Sequence, residues 1–123
     1  WEAADCHYKR GEVLWWTGRD PQESISEYQQ AVTLNPKHHW AHVRLGYALY
    51  QAYGDVASAE KEIRQAIAVW PDDKHQKWPH RFLGDIYQEA GMIDQAIAAY
   101  QEVLRLDPSD EQVQDILTTL LEE

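Results

Sequence analysis

Residues 83–108 read LGDIYQEAGMIDQAIAAYQEVLRLDP, and the same order of landmark residues occurs three times along the 123-residue chain. Each copy carries a glycine in its first half and a proline at its end. The glycines are 35 and 38 residues apart, and the prolines are 35 and 37 residues apart. Because two independent markers give one period, the chain is predicted to be built from a repeated unit. The markers are Gly11, Gly46 and Gly84, and Pro36, Pro71 and Pro108.

Each copy is predicted to form two helices. In the last copy the apolar residues between Ile93 and Leu104 recur at steps of three and four, which gives the helix one apolar face. Gly91 is expected to close the preceding helix, since glycine adopts the left-handed conformation most readily. In the first copy Asp20 is expected to cap the second helix, with Pro21 at its first position. Each landmark proline is expected to end a second helix, because it offers no amide hydrogen.

A period of about 34 residues with this pattern resembles the tetratricopeptide repeat. The resemblance covers nearly the whole chain as one domain of three repeats, at about 4–36, 37–71 and 77–108, followed by an amphipathic capping helix at 109–122. It implies an all-α fold, a right-handed superhelical solenoid of helical hairpins. The first copy departs most from the family pattern, because Arg10 replaces an apolar residue and Ser24 replaces a small alanine.

The small residues of the repeat have a packing explanation. A glycine in the first helix and an alanine or serine in the second let two helix backbones approach closely. The larger side chains Tyr28, Ile63 and Tyr100 are then predicted to fill the space between repeats. These residues are expected to maintain the fold and not to form a site.

The charge of the chain argues against nucleic acid as a partner. Lys and Arg number 11 against 21 Asp and Glu, which gives a formal net charge of −10 and repels a phosphate backbone. No apolar run approaches the roughly 20 residues that span a bilayer, so no membrane insertion by this segment is predicted. Because the chain begins at Trp1 without an initiator methionine, we expect a fragment of a longer protein. A cytoplasmic location is the expectation for this domain, with a membrane anchor in the parent protein left open.

The resemblance also implies where partners bind. In tetratricopeptide proteins the first helices line a concave surface that holds an extended peptide or a partner's helix. Helical steps of three and four place eighteen residues on such a strip, and eight of them are aromatic. Core positions are assigned to other residues such as Leu45 and Leu83, so the strip is expected to lie outside the core. The strip comprises Asp5, Tyr8, Lys9, Glu12, Trp15, Trp16, Trp40, Val43, Arg44, Tyr47, Tyr50, Gln51, Trp78, Arg81, Phe82, Asp85, Gln88 and Glu89.

The composition of the strip predicts a protein-interaction module. Aromatic side chains with two arginines suit apolar or aromatic anchors on a peptide or partner helix. Two alternatives remain open: self-association into a homo-oligomer, and a glycan- or substrate-binding platform attached to an enzyme such as a glycosyltransferase. The predicted partner-binding residues are Tyr8, Trp15, Trp40, Arg44, Tyr47, Tyr50, Trp78, Arg81, Phe82 and Asp85.

One known binding mode of the family is not predicted. Some members hold a partner's C-terminal carboxylate in a clamp of Lys, Asn and Arg on the concave face. The positions that resemble the Lys and Asn of that clamp are Tyr8, Glu12 and Trp78 in this chain, so the clamp is not carried over.

The sequence carries no nucleophile motif and no phosphate-binding glycine loop, so no catalytic residue, cofactor or enzyme activity is predicted. His38 and His42 lie four residues apart and share a helix face. Two ligands are too few for a structural zinc site, and no metal site is predicted.

A histidine recurs four residues before each landmark glycine, at His7, His42 and His80. These rings are expected to pack between helices with one ring nitrogen hydrogen-bonded. The alternative hypothesis is pH sensing: if the rings are buried and neutral, they charge below about pH 6.5 and loosen the fold.

Overall fold

The computed structural model describes residues 2–18 and 20–122, and all the secondary structure in them is helical. None of the described helices is both long and apolar enough to span a bilayer. Among the described residues the α-helices pair into three hairpins and a seventh helix follows, which confirms three repeats and a capping helix. The elements are α1 (Glu2–Trp16), α2 (Pro21–Leu34), α3 (His39–Tyr53), α4 (Val56–Val69), a 3₁₀ turn (Lys74–Gln76), α5 (Lys77–Glu89), α6 (Ile93–Leu106) and α7 (Glu111–Glu122).

Local sequence signals set the helix ends. The carboxylate of Asp20 accepts a hydrogen bond from the amide of Gln22 at 3.0 Å, and Pro21 occupies the first position of α2. Gly91 follows α5 with φ of 80°, the left-handed conformation that glycine adopts without steric cost. The second helix of each repeat ends two residues before a landmark proline, as α6 does at Leu106. These predictions are confirmed.

The chain divides into two compact units, one ending at Trp70 and one beginning at Pro71. In the first unit α2 packs against both α1 and α3. Its core centres on Ile25 and Tyr28 of α2 with Leu45 and Ala48 of α3. In the second unit α6 packs against both α5 and α7. That the two units form a single domain stays a prediction.

The landmark glycines lie against side chains of the second helices. A Cβ built on Gly11 would be 2.7 Å from Cε1 of Tyr28, and one on Gly84 would be 2.7 Å from Cε1 of Tyr100. At Gly46 the nearest atom is the carbonyl oxygen of Ala59, at 2.8 Å. The predicted close backbone approach therefore holds at Gly46. At Gly11 and Gly84 the nearest atoms belong to the rings of Tyr28 and Tyr100, so each ring packs against the first helix of its own repeat.

The departure of the first repeat from the family pattern at Arg10 has a structural reason. Arg10 is exposed, whereas Leu45 at the equivalent position of α3 is buried against α2. Val13 is likewise exposed where the second repeat has the buried Ala48. Arg10 and Val13 line a surface groove of about 400 Å³ together with Lys9 and Leu14. A charged side chain is tolerated there because it keeps its hydration.

Candidate functional site

Side chains of α1 and α3 meet in the first unit and form what we call the α1–α3 face. The ring of Trp15 meets the ring of Tyr47 edge-on, with 6.3 Å between centroids. The guanidinium carbon of Arg44 lies 6.0 Å from the centroid of Trp16. The indole of Trp16 is 70% exposed, while Trp15 and Tyr47 are half-buried. The face comprises Tyr8, Glu12, Trp15, Trp16, Arg44 and Tyr47.

Glu12 lies at the centre of a polar network under this face. Its Oε1 accepts a hydrogen bond from the hydroxyl of Tyr28 at 2.6 Å and lies 3.1 Å from Nε of Arg44. Burial, the hydrogen bond and the charge of Glu12 raise the pKa of Tyr28 far above its ordinary value, so the phenol remains a donor. The side chains of Glu12 and Arg44 are only 22% and 21% exposed, and at this distance each charge offsets the field of the other.

Four of the predicted binding residues come together here: Tyr8, Trp15, Arg44 and Tyr47. Trp40 instead packs edge-on against Trp70, with 5.1 Å between ring centroids, and His39 contacts the same indole at 4.4 Å. Sequence reasoning missed this cluster because Trp70 lies just after α4, outside the helical pattern. Tyr50 is half-buried near the end of α3.

The other predicted binding residues lie on α5 in the second unit. Trp78 is 38% exposed, and the ammonium of Lys77 lies 5.1 Å from its ring centroid. Arg81 donates a hydrogen bond from Nη1 to Oε1 of Gln112 on α7, at 3.0 Å. Phe82 is half-buried. Arg81 therefore links two helices of its own unit.

Asp85 repeats in the second unit the arrangement of Glu12 in the first. Each acid follows a landmark glycine, and each accepts the hydroxyl of a buried tyrosine from the second helix of its repeat. Burial raises the pKa of Asp85, against the hydrogen bond from Tyr100 and the charge of Arg81. In the second repeat the positions of the acid and the tyrosine hold Tyr47 and Ile63. The second repeat thus lacks both the acid and the tyrosine, and this shared difference between repeats is the sequence signal that indicates the acid–tyrosine pairs.

Family profiles described as the tetratricopeptide repeat match residues 4–38 and 39–109. The chain belongs to the tetratricopeptide repeat family. No curated protein sequence gives a significant match.

Solved structures of two tetratricopeptide domains and of one further protein match this chain and confirm the all-α fold. The first tetratricopeptide domain of Spaghetti (RPAP3), described as bound to the HSP90 peptide SRMEEVD, gives a TM-score of 0.83 at 17% identity, covering 98% of this chain and 92% of its own. The Arabidopsis OM64 tetratricopeptide domain gives 0.81 at 18% identity, covering 99% and 97%. The crystal structure of MamA gives 0.82 at 22% identity, covering 97% and 67%.

In this tetratricopeptide chain the predicted strip is not separate from the core. Tyr8 and Trp15 pack against the cluster formed by Ile25, Tyr28 and their neighbours. Val43, also assigned to the strip, is completely buried. The expectation that the strip lies outside the core is wrong at these positions, because the first helices lie close enough to share side chains with the second helices.

Two of the recurrent histidines connect the helices of their own tetratricopeptide hairpin. Nδ1 of His7 lies 2.6 Å from Oε2 of Glu27, and Nδ1 of His42 lies 3.0 Å from Oε2 of Glu62. Nε2 of His42 also lies 2.7 Å from the carbonyl oxygen of Pro36. Both ring nitrogens of His42 therefore face acceptors, an arrangement that only the protonated imidazolium satisfies fully.

The pH hypothesis has the wrong sign at His42. Burial lowers its pKa, but the hydrogen bonds to Glu62 and the Pro36 carbonyl, with the charge of Glu62, outweigh burial and raise it. Protonation of His42 therefore stabilises the folded chain. In the third repeat Ala99 stands where the others have Glu27 and Glu62. The acid that His80 influences is Glu102, whose pKa is lowered chiefly by the hydrogen bond from Arg105 and in part by the charge of His80.

His38 has a capping role that sequence reasoning did not assign. Its Nδ1 accepts a hydrogen bond from the amide of Ala41 at 3.2 Å, which caps α3. Its Nε2 lies 2.9 Å from Oδ1 of Asp5 on α1. Since Nδ1 accepts, Nε2 carries the proton and donates to the carboxylate. His38 thus joins the start of α3 to α1.

Proposed function

We propose that this tetratricopeptide chain is a non-catalytic protein-interaction module that binds a peptide or a partner's helix on the α1–α3 face. The observation that carries the proposal is the indole of Trp16, 70% exposed beside the half-buried rings of Trp15 and Tyr47. Contiguous exposed apolar surface of this kind marks interaction sites on folded proteins. We propose the same role for Trp78 and Phe82 on α5.

The solved structures support peptide binding as a use of this fold. The Spaghetti domain is described as bound to an HSP90 peptide, and its chain matches this one over 98% of the residues. At 17% identity the likeness concerns the fold and leaves the partner to be argued from the residues of this chain.

The residues of the face define the chemistry of the partner. Tryptophan and tyrosine are the side chains that most often dominate binding energy at interfaces. The guanidinium carbon of Arg44 lies over the indole of Trp16, 6.0 Å from its centroid, and the exposed part of the ring offers a flat apolar surface to an aliphatic or aromatic side chain. The net charge of −10 makes nucleic acid an unsuitable partner.

Peptide display on the purified chain tests the proposal. Selected peptides would be measured against wild type, Trp16→Ser and the control Tyr53→Ser, which removes another exposed aromatic ring from the first unit. We expect a consensus that binds wild type and Tyr53→Ser, and binding to Trp16→Ser weakened about tenfold or more. Equal binding by all three proteins would contradict the proposed site.

A mass measurement over a range of concentrations separates the alternatives. A dimer that Trp16→Ser converts to a monomer would identify the face as a self-association surface. A monomer that enriches no peptide would contradict peptide binding and favour a glycan or another substrate as the ligand.

A further inference from the structure

The charge pairing beneath the α1–α3 face carries an inference about specificity, which rests on the proposed function. We propose that the carboxylate of Glu12 pairs with Arg44 in place of an anion from a partner, so that the face binds uncharged apolar or aromatic segments and rejects acidic ones. Glu12 is thus a specificity determinant for the partner.

The pair is held in place by its neighbours. The carboxylate of Glu12 on α1 lies 3.1 Å from Nε of Arg44 on α3, while the hydroxyl of Tyr28 on α2 donates to the same oxygen at 2.6 Å. Three helices therefore fix one carboxylate. Tyr8 belongs to the same group. Burial has the largest influence on the pKa of Tyr8 and raises it, and the charge of Glu12 raises it further. Arg44, which is hydrogen-bonded to Tyr8, lowers that pKa.

An acidic partner would have to displace this carboxylate. Glu12 is tethered to the same chain, so it competes at a high effective concentration with any carboxylate from solution. Its displacement would also leave the buried hydroxyl of Tyr28 without its acceptor, which costs free energy. If Glu12 stays in place, its negative charge repels the incoming acid.

A cationic partner gains little from the same site. The positive charge of Arg44 lies beside Glu12, and each charge offsets the field of the other at the surface. The apolar surface of Trp15, Trp16 and Tyr47 remains available to a partner, since no charged group competes for it. The geometry therefore favours a partner segment that is uncharged where it meets this face.

The substitution Glu12→Gln tests the inference, because glutamine keeps the shape and an acceptor for Tyr28 but removes the charge. The control is Glu60→Gln, which makes the same change of net charge on α4, where Glu60 pairs with Arg64 at 3.4 Å. The probe is inorganic sulfate, added at constant ionic strength while the Nε–H signal of Arg44 is followed by NMR. The exposed cations of α1, Lys9 and Arg10, remain in every variant.

We expect a saturable shift of the Arg44 signal in Glu12→Gln and a flat response in wild type and Glu60→Gln. The same sulfate response in Glu12→Gln and wild type would overturn the inference. The double variant Glu12→Gln, Arg44→Gln has no Arg44 signal, so the indole N–H signal of Trp16, whose ring centroid lies 6.0 Å from the guanidinium carbon of Arg44, is also followed. We expect sulfate to shift this signal in Glu12→Gln and not in the double variant, which would assign the new anion site to the guanidinium.

A peptide pair extends the test to partners. A peptide selected by display would be made in one form ending in two aspartates with a free carboxylate and in another ending in two asparagines with an amide. We expect wild type to bind the neutral form about tenfold more tightly, and Glu12→Gln to abolish that preference. The comparison of the two peptides can be made with the wild-type protein alone, so it does not depend on the folding of any variant. Equal affinities of wild type for the two forms would also overturn the inference. If neither form binds any variant, the proposed function fails, and the sulfate titration still decides the role of Glu12.

Discussion

The ring of Tyr100 lies against the backbone of Gly84, so closely that a Cβ at Gly84 would be 2.7 Å from Cε1 of the ring. Tyr100 is completely buried and its hydroxyl is held by Asp85, so the ring has nowhere to move. The glycine is therefore a requirement of packing and not of backbone conformation.

Gly84→Ala is expected to lower the free energy of unfolding by about 1–3 kcal/mol, as overpacking of a core does. Helix propensity alone would favour alanine by about 1 kcal/mol, so the cost of the clash exceeds the measured net loss by about that amount. Chemical denaturation gives the value. A stabilised Gly84→Ala protein would show that the ring is not confined as described.

Removing the tyrosine hydroxyl tests the pairing of tyrosine with acid in the first repeat. Tyr28→Phe leaves the ring in the core but takes the donor away from Glu12, and we expect a loss of about 1 kcal/mol in unfolding free energy. The control Tyr53→Phe, at an exposed ring, is expected to change stability by less than about 0.5 kcal/mol. Equal effects of the two substitutions would contradict a stabilising role for the hydrogen bond.

The stability of the chain is expected to gain from His42 as the pH falls. The folded state raises the pKa of His42, so its contribution is fully present below the unfolded value of about 6.5 and is lost as the pH rises through the folded pKa. The difference in unfolding free energy between wild type and His42→Gln should therefore grow from pH 8 to pH 6. His75→Gln, at an exposed ring, serves as the control. A difference that shrinks on acidification would restore the hypothesis of a buried neutral histidine.

Ser24→Ala is expected to stabilise the chain. Ser24 is completely buried, and its hydroxyl has no hydrogen-bond partner among the described residues. The other two repeats carry the buried Ala59 and Ala96 at this position. Because an unsatisfied buried hydroxyl is costly, alanine should raise the free energy of unfolding by about 1 kcal/mol. Ser26→Ala, on the exposed side of α2, should leave stability within about 0.5 kcal/mol of wild type, and a similar gain there would reveal a helix-propensity effect instead.

The helix boundaries could be predicted from the sequence because they depend on local chemistry. A capping carboxylate at Asp20, a left-handed glycine at Gly91 and a proline after each second helix act within a few residues of the ends they determine. The repeat period followed from the spacing of the landmark glycines and prolines. The resemblance of that pattern to the tetratricopeptide repeat implied the family and the all-α fold, and both are confirmed.

The candidate site could be predicted only in part. Helical spacing placed Tyr8, Trp15, Arg44 and Tyr47 on one strip, and the structure brings them together; that they bind a partner stays a prediction. Spacing could not show that Trp40 packs on Trp70, because those residues meet through the arrangement of α3 and the end of α4.

The sequence by itself determined the period, the helices and the set of aromatic residues, since these depend on neighbours along the chain. Only the tertiary structure decided which aromatic rings are buried and which charges cancel. Tyr28 lies against Gly11 through packing within one hairpin, and Arg44 lies beside Glu12 through packing of one hairpin on the next. A side chain's burial and the strength of an ion pair depend on those distances, so the chemistry of the surface was settled by packing.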